Sequence, residues 1–242
     1  MTVPPIATVY VAVAVLLALA STLAYMYFAG GIYVPSRHSA CFFDLVQDSF
    51  CDIETLDIRV PEAVRESCLE LVRDETKGSR VSVPFWKSGR TIPSRALTRS
   101  TIEYYSSLER VVSEAVGTSV YTTPLDKPTS VAVLVYEKEG DFINWHYDVN
   151  YFKGRFFTLL LPLTTNATCT TFRFMNQDKQ QEDVVLEDGT AILFEGEKVF
   201  HMATKLCADQ ERAILSMQFS TDPAFRSLSS LLLHTVKDKA YA

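Results

Sequence analysis

The chain has no excess of basic residues. Lys and Arg number 23 against 29 Asp and Glu, for a formal net charge of −6. A nucleic-acid partner needs a basic face, so none is expected. Internal repeats and low-complexity tracts are missing too, which sets aside solenoid and fibrous architectures. The five cysteines are Cys41, Cys51, Cys68, Cys169 and Cys207. They show no metal-type spacing and, being odd in number, form no clear disulfide framework. Cys41 and Cys51 are close enough to close a small loop in an oxidising compartment. Charge is absent altogether before Arg37.

Within that uncharged stretch, residues 6–29 form a nearly continuous apolar run. About 20 apolar residues span a bilayer as a helix, and Tyr25, Tyr27 and Tyr33 near its end suit an interfacial aromatic belt. A cleaved signal peptide is the rival reading. It would show a basic segment ahead of an apolar core of only ~7–15 residues. The run is therefore read as a single-pass membrane anchor. Arg37 weakly favours a cytosolic C-terminal side. Asn166-Ala167-Thr168 is a glycosylation sequon with meaning only on the other side. The expectation is a domain in the endoplasmic reticulum or secretory lumen.

Helices are expected at residues 61–77, opened by Pro61 and stopped by Gly78, and at 101–116, capped by Ser100 with Glu103 and stopped by Gly117. Val64, Cys68, Leu71 and Val72 give the first an apolar face; Ile102, Tyr105, Leu108, Val112 and Val116 give the second its stripe. Residues 37–60 read as a stem. Residues 79–98 read as a basic loop. From Thr129 onward short β-type runs dominate, at 129–136, 156–163, 184–186, 190–194 and 212–219, with Glu187-Asp188-Gly189 as a tight turn. Leu228, Leu231 and Leu232 suggest a C-terminal helix. Many short strands with helices outside them imply a mainly β sandwich or jelly roll.

His146-Tyr147-Asp148 is followed by His201 and then Arg212. A histidine and a carboxylate two residues apart share one face of a strand. With one distant histidine they make two imidazoles and a carboxylate, the set that holds non-haem Fe(II) and leaves other positions open. On the last strand Arg212, Ile214, Ser216 and Gln218 share one face, and Ala213, Leu215, Met217 and Phe219 the packing face. An arginine among such neighbours needs a carboxylate. Glu195 or Glu197 could supply one from within the protein. Trp145 and Tyr147 should point away from the metal face; Asn144 and Asn150 are equally well substrate contacts or surface groups. His38 and His234 lie outside the pattern.

His146-x-Asp148, His201 and Arg212 resemble the signature of the Fe(II)- and 2-oxoglutarate-dependent dioxygenases, and the prolyl 4-hydroxylase-like branch in particular. The stretch Val135-Tyr136-Glu137-Lys138-Glu139-Gly140 is similar to that branch's lead-in to its iron motif. Phe156-Phe157-Thr158-Leu159-Leu160 and Gly189-Thr190-Ala191-Ile192-Leu193-Phe194 resemble two of its core strands. Collagen-type members usually carry lysine where Arg212 stands.

The resemblance implies a double-stranded β-helix with flanking helices. It also implies that His146, Asp148 and His201 bind Fe(II) and form the catalytic centre. Arg212, assisted by Tyr136 and Ser216, would bind 2-oxoglutarate. Dioxygen is the other cosubstrate, and the family admits ascorbate as an accessory. The implied reaction is hydroxylation of a substrate carbon, peptidyl proline first, with a lipid or small molecule as the alternative. A non-catalytic jelly-roll binding module and a non-oxidative zinc enzyme are the rivals. The chain divides as anchor (1–36), stem and helical lead-in (37–98), dioxygenase domain (99–222) and tail (223–242). Peptide or small-molecule substrate, and membrane through residues 6–29, are the expected partners.

Overall fold

The computed structural model describes residues 52–225, apart from 165, 166, 177 and 179, together with 13–18 and 20–21. In chain order the first half holds β1 (Ile53–Asp57), α1 (Glu62–Arg73), β2 (Ser79–Val83), β3 (Lys87–Ile92), α2 (Arg99–Ser107), α3 (Glu109–Val116) and β4 (Tyr121–Thr122). The second half is all strand: β5 (Val131–Tyr136), β6 (Phe142–His146), β7 (Phe156–Pro162), β8 (Phe172–Met175), β9 (Gln181–Val184), β10 (Thr190–Glu195), β11 (His201–Ala203) and β12 (Arg212–Ser220).

The strands run β1-β10-β7-β12-β5 and then β6-β11-β8-β9, with β3 joining the two runs. Strand β3 pairs β5 through residues 90–92 and β6 through residues 87–88. The two runs face each other. Leu160 of β7, Ile192 and Phe194 of β10 and Ile214 of β12 pack with Phe172 and Phe174 of β8. This is the jelly-roll arrangement expected from the strand pattern.

The outer face of the first run carries the larger core. Phe157, Leu159 and Leu161 of β7, with Leu215, Met217 and Phe219 of β12, pack against Val64, Cys68 and Val72 of α1 and against Tyr105 and Val112. Each such side chain contributes roughly 1.5–3 kcal/mol by leaving water. Alternation along β12 is as the sequence predicts, so its other face is free to line a cavity.

Several expectations need correction. Helix α1 stops at Arg73 rather than continuing to residue 77. The Asp74 carboxylate accepts from the Thr76 N–H at 3.0 Å and the Thr76 hydroxyl at 2.6 Å, a side-chain turn that replaces the helical bonds. The second helix is two helices that meet at Leu108. Ser106 and Ser107 donate back to the carbonyls of Ile102 and Tyr104 at this break. Its N-cap is Thr98, which accepts from Thr101 N–H, not Ser100. Most of the supposed basic loop at 79–98 is the β2–β3 hairpin, which ends at Ile92 and is followed by a 3-10 turn at Ser94–Ala96, and residues 53–57 of the supposed stem pair with β10.

Cys169 and Cys207 are joined by a disulfide, a pairing that the sequence spacing did not suggest. Cys68 is a buried free thiol. Of the apolar run at 6–29, residues 13–18 and 20–21 are helical. Among the described residues no helix is long and apolar enough to cross a membrane. The Tyr25, Tyr27 and Tyr33 belt, the Cys41–Cys51 loop, Asn166 and the C-terminal helix at Leu228, Leu231 and Leu232 lie outside the described residues.

Candidate metal centre and cavity

His146 ends β6 and His201 begins β11, and the two are register partners across the antiparallel pair. Their rings lie 4.2 Å apart. Asp148 lies two residues beyond the end of β6, where its N–H donates to the Gly196 carbonyl at 2.8 Å. That contact turns its carboxylate back to the histidines: Oδ1 is 3.7 Å from His146 Nε2 and 4.0 Å from His201 Nε2. One ligand atom from each of the three residues lies within 4.8 Å of the others. The sequence-predicted triad is thus gathered at one point.

The surrounding groups fix which atoms face that point. His146 Nδ1 lies 2.7 Å from the Asn144 carbonyl, and His201 Nδ1 2.9 Å from that of Val199. A carbonyl can only accept, so each Nδ1 carries the proton and each Nε2 keeps its lone pair for a metal. Thr158 donates its hydroxyl to Asp148 Oδ2 at 2.7 Å, leaving Oδ1 directed at the rings. Burial pulls both imidazoles below their ordinary range; for His146 the neighbouring His201 adds to this, while Asp148 opposes it at both. Both are neutral at pH 7, as metal ligands must be.

The triad opens into a cavity of about 490 Å³ between the two sheet runs. Arg212, Ile214, Ser216 and Gln218 line it from β12, and Ala132, Leu134 and Tyr136 from β5. Arg212 is paired in register with Tyr136, and its guanidinium lies 5.6 Å from the centre of that ring. Ser216 is on the same face of β12, one inward-facing residue beyond Ile214. Burial lowers the Arg212 pKa, with the Tyr136 oxygen opposing.

Arg212 Nη1 and Thr91 Oγ1 are buried, border this cavity and have no hydrogen-bond partner among the described residues. The two internal partners considered for Arg212 are engaged elsewhere: Glu195 binds Arg155 at 2.9 Å and Lys198 at 3.2 Å, and Glu197 accepts from Asn150 at 3.0 Å. Two neutral imidazoles with one carboxylate suit Fe(II), and orphaned donors in the same cavity suit a carboxylate ligand. The residues present fit both groups.

Sequence reasoning missed several contributors. Thr158 is the one polar residue within Phe156–Pro162, a signal that could have been read. Gly196 has no such signal. A Cβ there would lie 2.6 Å from Asp148 Oδ2 and 2.7 Å from Asp148 Cβ, so only glycine admits the ligand. Lys87 and Thr91 line the cavity from β3.

Trp145 and Tyr147 both pack on the Phe200 ring, as residues turned from the metal face should, and Tyr147 also borders the cavity. Asn144 donates to the Phe85 carbonyl, and Asn150 to Gly154 and Glu197. Both hold loops and neither borders the cavity.

No family model matches the chain, and no curated protein does. Solved structures do. A Pseudomonas putida prolyl-4-hydroxylase superposes with a TM-score of 0.54 at 15% identity, over 76% of this chain and 97% of that one. A prolyl hydroxylase from Trichoplax adhaerens, in complex with a hypoxia inducible factor peptide, gives 0.52 at 15% identity, over 70% and 83%. The epimerase SnoN in complex with Fe3+, alpha ketoglutarate and nogalamycin RO gives 0.55 at 13% identity, over 69% and 78%. The chain shares the fold of these proteins.

Proposed function

We propose that this protein is an Fe(II)- and 2-oxoglutarate-dependent dioxygenase that hydroxylates a substrate carbon. One observation carries the reading: a converged His146–Asp148–His201 triad opens into the same cavity as a buried guanidinium with an unused donor. His146, Asp148 and His201 would hold the iron. Arg212 would grip the distal carboxylate of 2-oxoglutarate, with Tyr136 beneath it and Ser216 beside it. Bound ferrous iron with 2-oxoglutarate and dioxygen supplies the oxidising power, converting a C–H bond to C–OH while succinate and carbon dioxide leave.

The chain's own residues do the rest. The carbonyls of Asn144 and Val199 keep the two Nε2 atoms directed at the metal, Thr158 keeps Asp148 from rotating, and the apolar walls exclude water. Succinate formation from 2-oxoglutarate, with ascorbate present, should require added Fe(II) and vanish in His146→Ala. Full turnover in that variant would overturn the reading.

Peptidyl proline is the first substrate to test. The fold is shared with two prolyl hydroxylases. A small molecule or lipid is the second reading, favoured by the size and largely apolar lining of the cavity. A gain of one oxygen mass on a proline-rich peptide or on a small acid separates them. The Cys169–Cys207 disulfide and the sequon at Asn166 support a lumenal domain, and the apolar run at 6–29 supports a tether. Glycosidase sensitivity and resistance to alkaline extraction test these two points. The division at residues 36, 98 and 222 is proposed for segments of the chain rather than for separate folding units, since β1 and β3 of the 37–98 lead-in belong to the same sheet as the later strands.

A further inference from the structure

Gln218 lines the cavity from the inward face of β12, at the far end from Arg212 and roughly 20 Å from it along the strand. Across to β7 its register partner is Thr158, whose hydroxyl holds Asp148 Oδ2. Gln218 therefore stands at the metal end of the cavity. On its other side its N–H donates to the Ser130 carbonyl at 2.8 Å, and Thr129, the residue before Ser130, lines the same cavity.

The Gln218 carbonyl is fully used, accepting from Thr123 and from the Tyr105 hydroxyl. Its side-chain amide bonds no described residue, and neither does the Thr129 hydroxyl. Both side chains are half-buried. The outward face of β12 is covered by the helical core, so the part of Gln218 left open is open to the cavity.

The dioxygenase reading, on which this inference rests, places 2-oxoglutarate between Arg212 and the metal, along Ile214 and Ser216. Gln218 and Thr129 lie past that span. Neither is charged, so neither answers a carboxylate as Arg212 does. In a largely apolar cavity a few such groups fix a ligand's orientation, and a ligand without matching groups leaves them unpaired. A carboxamide offers an acceptor oxygen and an N–H donor side by side, and the group that matches both is another amide.

We propose that the substrate carries an uncharged amide, held in paired hydrogen bonds by Gln218 with Thr129 beside it, and that this anchor sets which C–H bond faces the metal. An ester lacks the donor and is the poorer ligand. Gln218 is then the specificity residue of the metal end, distinct from the cosubstrate's Arg212.

The test uses the full chain loaded with Mn(II) and N-oxalylglycine, which mimic the metal and cosubstrate without turnover. The probes are N-methyl amides of cyclopentanecarboxylic, hexanoic and 3-phenylpropanoic acids, each paired with the methyl ester of the same acid, which differs only in N–H replaced by O. Mn(II)-induced relaxation of the probe's protons reports both binding and nearness to the metal. At least one amide should bind the wild type about ten-fold more tightly than its ester, or better. The preference should disappear in Gln218→Met, with N-oxalylglycine affinity unchanged. It should shrink in Thr129→Val, the variant that decides the matter if Gln218→Met does not fold. Equal binding of amide and ester by the wild type, or no binding of either, would overturn the proposal. So would a preference that survives these substitutions, or weaker N-oxalylglycine binding in Gln218→Met, which would assign its amide to the cosubstrate. Failure of the wild type to take up Mn(II) or N-oxalylglycine at all would instead overturn the dioxygenase reading, and this proposal with it.

Discussion

Two arginines, Arg90 and Arg212, are each 4% exposed, and they live in opposite circumstances. Arg90 is saturated. It binds Glu137 through Nε and Nη2, and donates to the carbonyls of Val72, Asp74 and Lys77. Arg212 has a ring beside it and a buried Nη1 with no partner among the described residues. Consecutive residues of one segment serve the two: Tyr136 accompanies Arg212, and Glu137 clamps Arg90. A buried cation supplied with all its acceptors holds a fold together. A buried cation left one acceptor short does not repay its burial in the same way, and the proposed cosubstrate carboxylate is the group that would complete it.

The sharpest way to break this comparison is to remove each guanidinium in turn. Arg212→Met should raise the 2-oxoglutarate concentration needed for half-maximal turnover on the order of 100-fold, since the cosubstrate carboxylate would be buried unpaired. Its melting temperature should hold or rise. Arg90→Met strands three carbonyls and takes from Glu137 the nearer of its two arginines, leaving it Arg80 at 3.3 Å. It should lose about 3 kcal/mol and melt roughly 6–12 °C lower, with unchanged cosubstrate affinity. Equal thermal losses in both variants would show that Arg212 is a structural residue after all.

The metal end sharpens the comparison through two smaller changes. Gly196→Ala drives a methyl group into Asp148 and should weaken Mn(II) binding roughly 10–100-fold. Gly140 is the control. It has φ +80° but nothing within 4 Å of a new Cβ, so its alanine variant should lose only about 1–2 kcal/mol of stability and no metal affinity. Thr158→Val deletes the hydroxyl on Asp148 Oδ2 and should weaken metal binding about 10-fold. Titrations of Mn(II) by paramagnetic resonance read both. Unchanged affinity in Thr158→Val would mean that the backbone contact to Gly196 suffices to orient Asp148.

The site was more legible in the sequence than the sheet around it. The alternation of Arg212, Ile214, Ser216 and Gln218 against Ala213, Leu215, Met217 and Phe219 is a period-2 signal that any half-buried strand gives, and the fold honours it. Strand β3 gives no such signal, because Lys87 and Arg90 are buried within it and the Glu137 that binds Arg90 comes from a distant segment. Strand β11 is three residues long, too short for periodicity. The Cys169–Cys207 bond depends on two loops brought together only by the fold, which spacing cannot reveal.

The smallest expected effect lies in the ionic cluster that extends the Arg90 side of the comparison. Asp141 is 1% exposed, and burial alone would raise its pKa. Hydrogen bonds from Ser88, Arg80 and the N–H groups of Lys138 and Glu137 outweigh burial and hold the carboxyl below its usual range. A folded pKa below the unfolded value of about 3.9 means that the unfolded chain binds the extra proton first. The stability this group contributes is therefore fully present above about pH 4 and is lost as pH falls through the folded pKa. Thermal melts of wild type and Asp141→Asn should differ by a constant amount between pH 5 and pH 8, and the gap should narrow below pH 4. Acid limbs that stay parallel would show that this cluster, unlike Arg90 with Glu137, contributes packing rather than charge pairing to the fold.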